Sequence, residues 1–155
     1  MVTKTKILFI LHAVGGVGVW LRIILPQLNP ELFDFVIIHG KTDTVTAFTD
    51  KNSNLVKTYT TTIDRNINVS KDYKAIKDCM AFIDKENPDV IHCHSSKAGV
   101  IGKIAGAIKK KPVFYTPHAS SFLSSESVLR QKIYLAIEQE LSTFNNTILA
   151  CSFSE

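Results

Sequence analysis

Two short runs of uninterrupted apolar residues, at positions 7–11 and 35–38, constrain the fold of this chain more than any other feature. A strand with one face in water alternates apolar and polar residues, whereas a continuous apolar run of this length is typical of a strand covered on both faces. Further β-rich runs follow at 90–93, 112–116 and 147–151. Strands covered on both faces occur mainly in parallel sheets that carry helices on each side.

Helical patterns separate these runs. Residues 17–28 predict a helix that is strained or ended near Pro26, because proline removes a helical hydrogen bond. Residues 41–70 are rich in Thr, Asn and Asp. We expect irregular structure there, with a weak strand near residues 55–59.

Three further helices are predicted along the second half of the chain. Ser70 is the expected N-cap of an amphipathic helix, in which apolar residues at i, i+3, i+4 and i+7 form one face. Ser95 and Ser96 are expected to cap a helix that runs to about Lys109 and has three glycines on one side. Glycine weakens a helix, so a close approach of this helix to the sheet is the expected compensation. Apolar residues every four positions over 129–141 indicate a long third helix.

The alternation of strands and helices predicts an α/β fold, a single Rossmann-like domain over residues 1–155 with a parallel sheet and helices on both faces. In such a sheet, ligands bind beyond the carboxyl ends of the strands. We interpret this edge as the ligand cleft, because all the histidines of the chain are predicted to lie there. Any single one of them could also be a hydrogen-bonded cap of its strand. All five histidines fall at or just past predicted strand ends: His12, His39, His92, His94 and His118.

Charge and cysteine content narrow the function class. The chain has 18 Lys and Arg against 14 Asp and Glu, a net charge of +4 that suits an anionic ligand or an anionic membrane surface. The basic residues form only one run, at 109–111, so nucleic acid is not a predicted partner. Three widely spaced cysteines indicate reduced thiols and a cytoplasmic location. The apolar run 7–11 is too short for a signal-peptide core or a membrane span.

The glycines at 15, 16 and 18 follow the first strand and open the first helix. Glycines here let the backbone approach a ligand, and the N–H groups of the helix N-terminus favour an anion. The loop departs from the dinucleotide fingerprint, because Leu21 replaces its third glycine and Lys41 stands where an acidic residue would hold a ribose. The sequence therefore does not predict nicotinamide or flavin binding.

His92 and His94 would share one face of a strand, which raises the question of a metal site. Two histidines on one face could bind zinc, but no third ligand lies nearby in the sequence. We therefore predict that no metal is bound.

Three segments, taken with the glycine loop, resemble a known family. They read NPDVIHCHSSKAG at 87–99, YTPH at 115–118 and ACSFSE at 150–155. In this order and spacing they resemble the N-terminal domain of family 4 glycosyltransferases, retaining enzymes of the GT-B fold. The resemblance implies transfer of a sugar from a nucleotide-sugar donor to an acceptor without a cofactor or catalytic metal. It also implies that this domain mainly binds the acceptor, while a second Rossmann-like domain holds most of the donor.

The resemblance also implies roles for individual residues. Gly15 and Gly16 would approach the donor diphosphate or the acceptor, and the imidazole of His118 would lie beside the transferred sugar. Ala119 departs from the glycine that often follows this histidine in the family. The expected site consists of one catalytic residue, His118, and six substrate-binding residues, namely Gly15, Gly16, His94, Ser96, Lys97 and Glu155.

The same resemblance sets the expected partners. The chain has no counterpart of the C-terminal nucleotide-sugar-binding domain, so we expect that domain, or a separate donor-binding subunit, to complete the site. The acceptor is expected to be a sugar or a lipid-linked sugar in bacterial cell-surface polysaccharide synthesis, with peripheral contact at the inner face of the cell membrane. Two alternatives stay open, a stand-alone acceptor-binding module that recruits a catalytic subunit and another GT-B enzyme such as a nucleotide-sugar epimerase.

Overall fold

A computed structural model describes residues 3–43, 46–64, 66–118 and 146–151, together with the single positions 128, 132, 136 and 139. The helix expected over 129–141 falls outside the described ranges. The strands are β1 (Thr5–Leu11), β2 (Phe33–Gly40), β3 (Lys57–Thr61), β4 (Val90–His94), β5 (Val113–Thr116) and β6 (Asn146–Ile148). The helices are α1 (Gly16–Ile24), which continues into a 3-10 turn at Leu25–Gln27, α2 (Val69–Glu86) and α3 (Ser96–Ile108).

Within the described part of the chain, the six strands form one sheet in the order β3-β2-β1-β4-β5-β6. Every neighbouring pair is parallel; Ile10 of β1, for example, pairs with Ile38 of β2 and with Cys93 of β4. The order reverses between β1 and β4, and ligands of doubly wound sheets bind at such a switch point. The prediction of a Rossmann-like parallel sheet is confirmed.

Side chains of β1 point alternately to two separate cores, which explains why its sequence is apolar throughout. Leu8 and Ile10 pack with buried residues of α2 and α3 on one face of the sheet. Phe9 and Leu11 pack with buried residues of α1 on the other face. Helices therefore cover both faces, as the uninterrupted apolar runs predicted.

The N-terminal caps of two helices differ from the predictions. Helix α2 begins two residues earlier than expected, and its N-cap is Asn68, whose side chain accepts a hydrogen bond from the Lys71 N–H at 3.0 Å. The expectation that Ser70 caps this helix is therefore wrong, because Ser70 lies inside its first turn. At the start of α3, Ser95 occupies the N-cap position but its side chain makes no capping hydrogen bond. None of the helices in the described ranges is long and apolar enough to cross a membrane.

The glycines of α3 lie against the sheet, as predicted. A Cβ atom on Gly99 would meet the ring of Tyr115, at 2.5 Å from Cε2. A Cβ atom on Gly102 would overlap the Sγ atom of Cys93. The helix backbone therefore lies close to β4 and β5, and this approach fixes α3 over the strands that carry the histidines.

We predict that Gly102→Ala destabilises the chain. Alanine improves helix propensity by about 1 kcal/mol, but the new methyl group must displace Cys93 in a packed core, which costs about 1–3 kcal/mol. The net result expected in urea unfolding is a lower midpoint with an unchanged slope. Adding Cys93→Ala to the Gly102→Ala variant should recover part of the loss, because it removes the sulfur atom that overlaps the methyl group.

Gly16→Ala is the matched control for this prediction. No described atom lies within 4 Å of a Cβ built at Gly16. The control should therefore unfold at the same urea concentration as the unmodified chain or at a higher one. Equal midpoints for Gly102→Ala and the unmodified chain would contradict the prediction.

Candidate functional site

Three histidines meet at the carboxyl ends of β4 and β5, on the face of the sheet that α1 covers. His92 and His94 alternate with Cys93, so both imidazoles face α1 while the thiol faces α3. The Nδ1 atom of His94 lies 2.9 Å from Nε2 of His118, which follows β5. We call His92, His94 and His118 the histidine cluster.

Aromatic residues enclose the histidine cluster. The ring of Phe9, on the neighbouring strand β1, lies beside both β4 histidines, with centroid separations of 5.7 Å. Trp20 of α1 contacts two members of the cluster, with its ring centroid 4.9 Å from that of His94 and 5.4 Å from that of His118. As a result His94 is fully buried and His118 is half-buried.

Burial decides the charge of the two β4 histidines. It lowers the pKa of His94 to about 2, with smaller effects from His92 and His118. Burial also lowers the pKa of His92 to about 4, with a smaller effect from His118. Both side chains are therefore neutral at physiological pH. Each can donate or accept one hydrogen bond per ring nitrogen without adding charge to the site.

His118 is held from both sides of its ring. Nε2 bonds His94, and Nδ1 lies 3.6 Å from the Sγ atom of Cys151, just after β6. Its backbone has φ 60°, a left-handed conformation that is uncommon outside glycine and costs about 1 kcal/mol or more. Ser95, at the end of β4, also has a positive φ, of 77°. Backbone strain of this kind gathers at functional sites.

The other two histidines form a separate group around a buried carboxylate. The Nδ1 atom of His12 lies 2.8 Å from Oδ1 of Asp43, whose side chain is fully buried, while His39 lies 4.0 Å from Oδ2. The backbone N–H groups of Ala13 and Gly40 donate to Asp43 Oδ2 at 2.6 and 3.0 Å. Burial by itself would raise the pKa of Asp43, but these bonds and His12 together hold it below 3.8. The five histidines predicted at one edge thus form two groups.

The glycine loop follows β1 and forms the start of α1. Gly15 is the N-cap residue of α1, with φ 63° and ψ −136°, which only glycine adopts readily. Both Gly15 and Gly16 are exposed, and no described atom lies within 4 Å of a Cβ placed on either. The first N–H groups of a nine-residue helix are thus approachable by an anion.

The remaining predicted residues lie at the start of α3. Ser96 is the first residue of α3 and is half-buried. The Nζ atom of Lys97 donates to Asp72 Oδ2 at 2.6 Å and to the Asn66 carbonyl at 2.8 Å. These bonds tie α3 to the first turn of α2. Glu155 lies outside the described residues.

The structure thus brings His94 and His118 together, with Gly15 and Gly16 on the helix that covers them. Sequence reasoning missed Trp20, Cys151 and the Asp43 carboxylate. Only Asp43 left a signal, since an acidic residue three positions past the glycine that ends a strand can fold back on that edge. Within the described residues, no group of three or more His, Cys, Asp or Glu could hold a metal ion. Metal independence stays a prediction.

Comparison with known proteins gives a consistent family. The family model described as Glycosyltransferase Family 4 matches residues 14–155. An uncharacterised 41.2 kDa protein in the cps region of Klebsiella pneumoniae is 40% identical over 72 residues, which make up 43% of this chain and 20% of that protein. An Escherichia coli UDP-Gal:alpha-D-GlcNAc-diphosphoundecaprenol alpha-1,3-galactosyltransferase is 28% identical over 112 residues, 72% of this chain and 28% of that enzyme. The matched segments thus span less than a third of either relative.

Solved structures share the fold at low sequence identity. The UDP-N-acetylglucosamine 2-epimerase from Rickettsia bellii superposes with a TM-score of 0.67 and 12% identity, over 98% of this chain and 40% of that chain. Anabaena Alr3699/HepE in complex with UDP gives a TM-score of 0.63 and 18% identity, over 96% of this chain and 38% of that chain. Each likeness covers about two fifths of the longer protein.

We predict that Asp43→Asn destabilises the chain at pH 7 by about 1–3 kcal/mol, the range for a damaged buried charge-assisted network. Folding lowers the pKa of Asp43 from its ordinary value of 3.8, so the ionised carboxylate stabilises the folded chain at pH values above 3.8. This stabilisation is lost as the pH falls through the pKa of the folded state. Urea unfolding at a series of pH values should give a constant difference from the unmodified chain above pH 4. That difference should narrow below pH 4, as the carboxylate takes up a proton.

Asp34→Asn is the matched control, because the Asp34 side chain is 53% exposed and 3.6 Å from Lys6. An exposed ion pair of this kind contributes little. The control should change the unfolding midpoint by less than Asp43→Asn at every pH. Equal effects of the two substitutions would show that burial of Asp43 contributes nothing specific.

Proposed function

Because the chain belongs to glycosyltransferase family 4, we propose that it is the acceptor-side half of an enzyme that transfers a sugar from a nucleotide-sugar donor to an acceptor. We propose further that the configuration at the sugar's anomeric carbon is retained and that no metal or other cofactor takes part. The donor-binding half would be a C-terminal domain or a separate subunit. Proteins of similar fold that are about two and a half times as long support this division.

The observation that carries the proposal is the bond between His94 and His118 at the switch point of the sheet. A fully buried, neutral His94 holds the His118 ring in one orientation at the edge where ligands of this fold bind. An imidazole fixed in this way needs no reorganisation when charge develops beside it. As the catalytic residue, His118 would hydrogen-bond a sugar hydroxyl through Nδ1 in place of the Cys151 contact, or its ring would offset the charge of the leaving phosphate.

The glycine loop supplies the second part of the site. Exposed backbone at Gly15 and Gly16, and the first N–H groups of α1, would bind the diphosphate or an anionic acceptor. Ser96 and Lys97 would line the acceptor side. Lys97 is already ion-paired with Asp72, so a contact with the acceptor would use its remaining N–H group or displace that carboxylate.

Two relatives suggest where such an enzyme works. The Escherichia coli galactosyltransferase is named for an acceptor sugar on diphosphoundecaprenol, and the Klebsiella pneumoniae protein is named for its cps region. We propose by analogy a lipid-linked acceptor, a role in cell-surface polysaccharide synthesis, and a cytoplasmic protein that touches the inner face of the membrane. The net charge of +4 suits an anionic lipid surface.

An epimerase is a second candidate, favoured by the structural similarity to the Rickettsia bellii enzyme. The two functions give different products from one nucleotide-sugar. A transferase releases the nucleotide and joins the sugar to an acceptor, whereas a 2-epimerase returns an intact nucleotide-sugar with C2 inverted. Nuclear magnetic resonance of the reaction mixture of the full-length protein separates these outcomes.

We predict that the chain of residues 1–155 alone transfers no sugar and binds UDP weakly. Positioning of both substrates supplies much of the rate of such a reaction, and one helix N-terminus with one glycine loop is only part of a donor site. Incubation with UDP-galactose and a lipid-linked acceptor should give no product above a heat-inactivated control. Titration calorimetry with UDP should show a Kd weaker than about 0.1 mM. A micromolar Kd would argue against a divided site.

We predict that His118→Ala in the complete enzyme lowers kcat by about tenfold to a thousandfold, the range for one lost electrostatic or hydrogen-bonding group. His118→Asn is the matched variant, because asparagine tolerates the left-handed backbone at this position but lacks the imidazole. It should show a similar loss of kcat. The Tm of each variant is measured on the same sample. A lower Tm with full activity would mean that His118 is only a structural cap.

A further inference from the structure

A thiol lies beside the histidine cluster on the next strand of the sheet. Cys151 follows β6, and β6 pairs with β5 through Tyr115 and Ile148. The Leu149 N–H donates to the Tyr115 carbonyl at 2.8 Å, which keeps the ends of these strands together. The exposed Cys151 thiol thereby comes within 3.6 Å of Nδ1 of His118.

Cys151, His118 and His94 form a continuous chain of hydrogen-bonding groups. The two ring nitrogens of His118 contact different partners, the Sγ atom at one end and His94 Nδ1, at 2.9 Å, at the other. A side-chain nucleophile is activated when a base lies within hydrogen-bond reach of it and a third group orients that base. Cys151, His118 and His94 have this arrangement, in that order. We propose that Cys151 is a reactive thiol, activated by His118, and that it forms mixed disulfides with small disulfides.

His94 provides an independent reason to assign this role. It is fully buried, and its Nε2 atom has no hydrogen-bond partner among the described residues. Burial of an unpaired imidazole nitrogen costs free energy, so the residue is held here for what its other nitrogen does. When His118 Nε2–H donates to His94 Nδ1, the lone pair on His118 Nδ1 faces the thiol and can take its proton. Since burial keeps His94 neutral, the positive charge then stays on His118 beside the thiolate.

The other two cysteines are the natural contrast. Cys79 and Cys93 are fully buried in the core between the sheet and the α2 and α3 helices. Burial raises the pKa of both thiols, that of Cys93 to about 12. Only a thiolate attacks a disulfide, so neither should react while the chain is folded. Cys151 is exposed and lies next to a base.

The reaction is a thiol–disulfide exchange. The Cys151 proton passes to His118 Nδ1, and the thiolate attacks one sulfur of a small disulfide. A bond forms between Cys151 Sγ and that sulfur as the original disulfide bond breaks. The released thiolate takes up the proton from His118. One disulfide is consumed, one disulfide is formed, and one small thiol leaves, so no further oxidant is needed.

The group left on Cys151 would stand directly against the His118 ring. If His118 acts on the transferred sugar, which rests on the proposed function, the mixed disulfide would stop transfer until a thiol reductant removes it. The site would then be regulated by the thiol–disulfide balance around the protein.

The test measures thiol reactivity and needs no sugar substrate, so its outcome is separate from that of the proposed function. Folded chain at pH 7 is mixed with Ellman's reagent, an aromatic disulfide that releases a coloured thiolate. One fast equivalent is expected, placed on Cys151 by mass spectrometry of the digested chain. Its rate constant should exceed that of the same cysteine in urea-unfolded chain by about tenfold or more. Cys79 and Cys93 should react only in urea.

Two variants complete the experiment, each checked for folding by circular dichroism. Cys151→Ser should abolish the fast phase. His118→Asn should keep Cys151 exposed but lower its rate constant to that of the unfolded chain. A Cys151 that reacts no faster in the folded chain than in urea overturns the proposal, and so does an unchanged rate in His118→Asn. The first comparison uses only the unmodified chain and therefore holds even if the variant fails to fold.

Discussion

The burial of β1 on both faces is the constraint on which the rest of the structure depends. Its residues alternate between a core shared with α1 and a core shared with α2 and α3. A strand covered in this way must lie inside a sheet, and the chain must cross the sheet to cover both faces. The strand order therefore reverses beside β1, between β1 and β4. At that reversal the glycine loop follows β1 and His94 ends β4, so both lie at the carboxyl ends of neighbouring strands.

Strand β4 buries two polar side chains on one of its covered faces. Its face toward α1 carries His92 and His94 where β1 and β2 carry apolar residues such as Phe9 and Ile37. Burying two imidazoles costs free energy unless they are hydrogen-bonded. His92 bonds the Thr116 hydroxyl at 2.9 Å and His94 bonds His118, while burial keeps His92 and His94 neutral. Among the described residues, Nε2 of His94 has no hydrogen-bond partner. A core that needed only stability would place apolar residues here, so stability does not explain these two histidines.

Local patterns in the sequence predicted the sheet and the close approach of α3. An uninterrupted apolar run indicates a strand covered on both faces, and glycines on one side of a helix indicate a neighbour in close contact. The predicted edge also contains the histidines. Sequence could not divide them, because the contact of His12 with Asp43 joins residues 31 positions apart and depends on how the chain turns after β2. The sequence could not predict the ion pair between Lys97 and Asp72 for the same reason, because it joins α3 to α2 and depends on how the two helices pack. Periodicity fixes which face a residue occupies, and loop geometry fixes its partner.

The two histidine groups differ in their buried partners, which are an ionised carboxylate in one group and a neutral imidazole in the other. His12 lies against the buried carboxylate of Asp43, whose lowered pKa keeps it negative at physiological pH. His12 and the backbone N–H groups of Ala13 and Gly40 surround this carboxylate and stabilise its charge. In the other group, His118 has a neutral imidazole, His94, as its buried partner. The ionised buried group therefore belongs to the His12 group, whereas the buried member of the His94–His118 pair adds no charge. Two groups of histidines at the same edge of one parallel sheet thus differ in electrostatics because loop contacts after β2 and β5, and not the strands themselves, supply their partners.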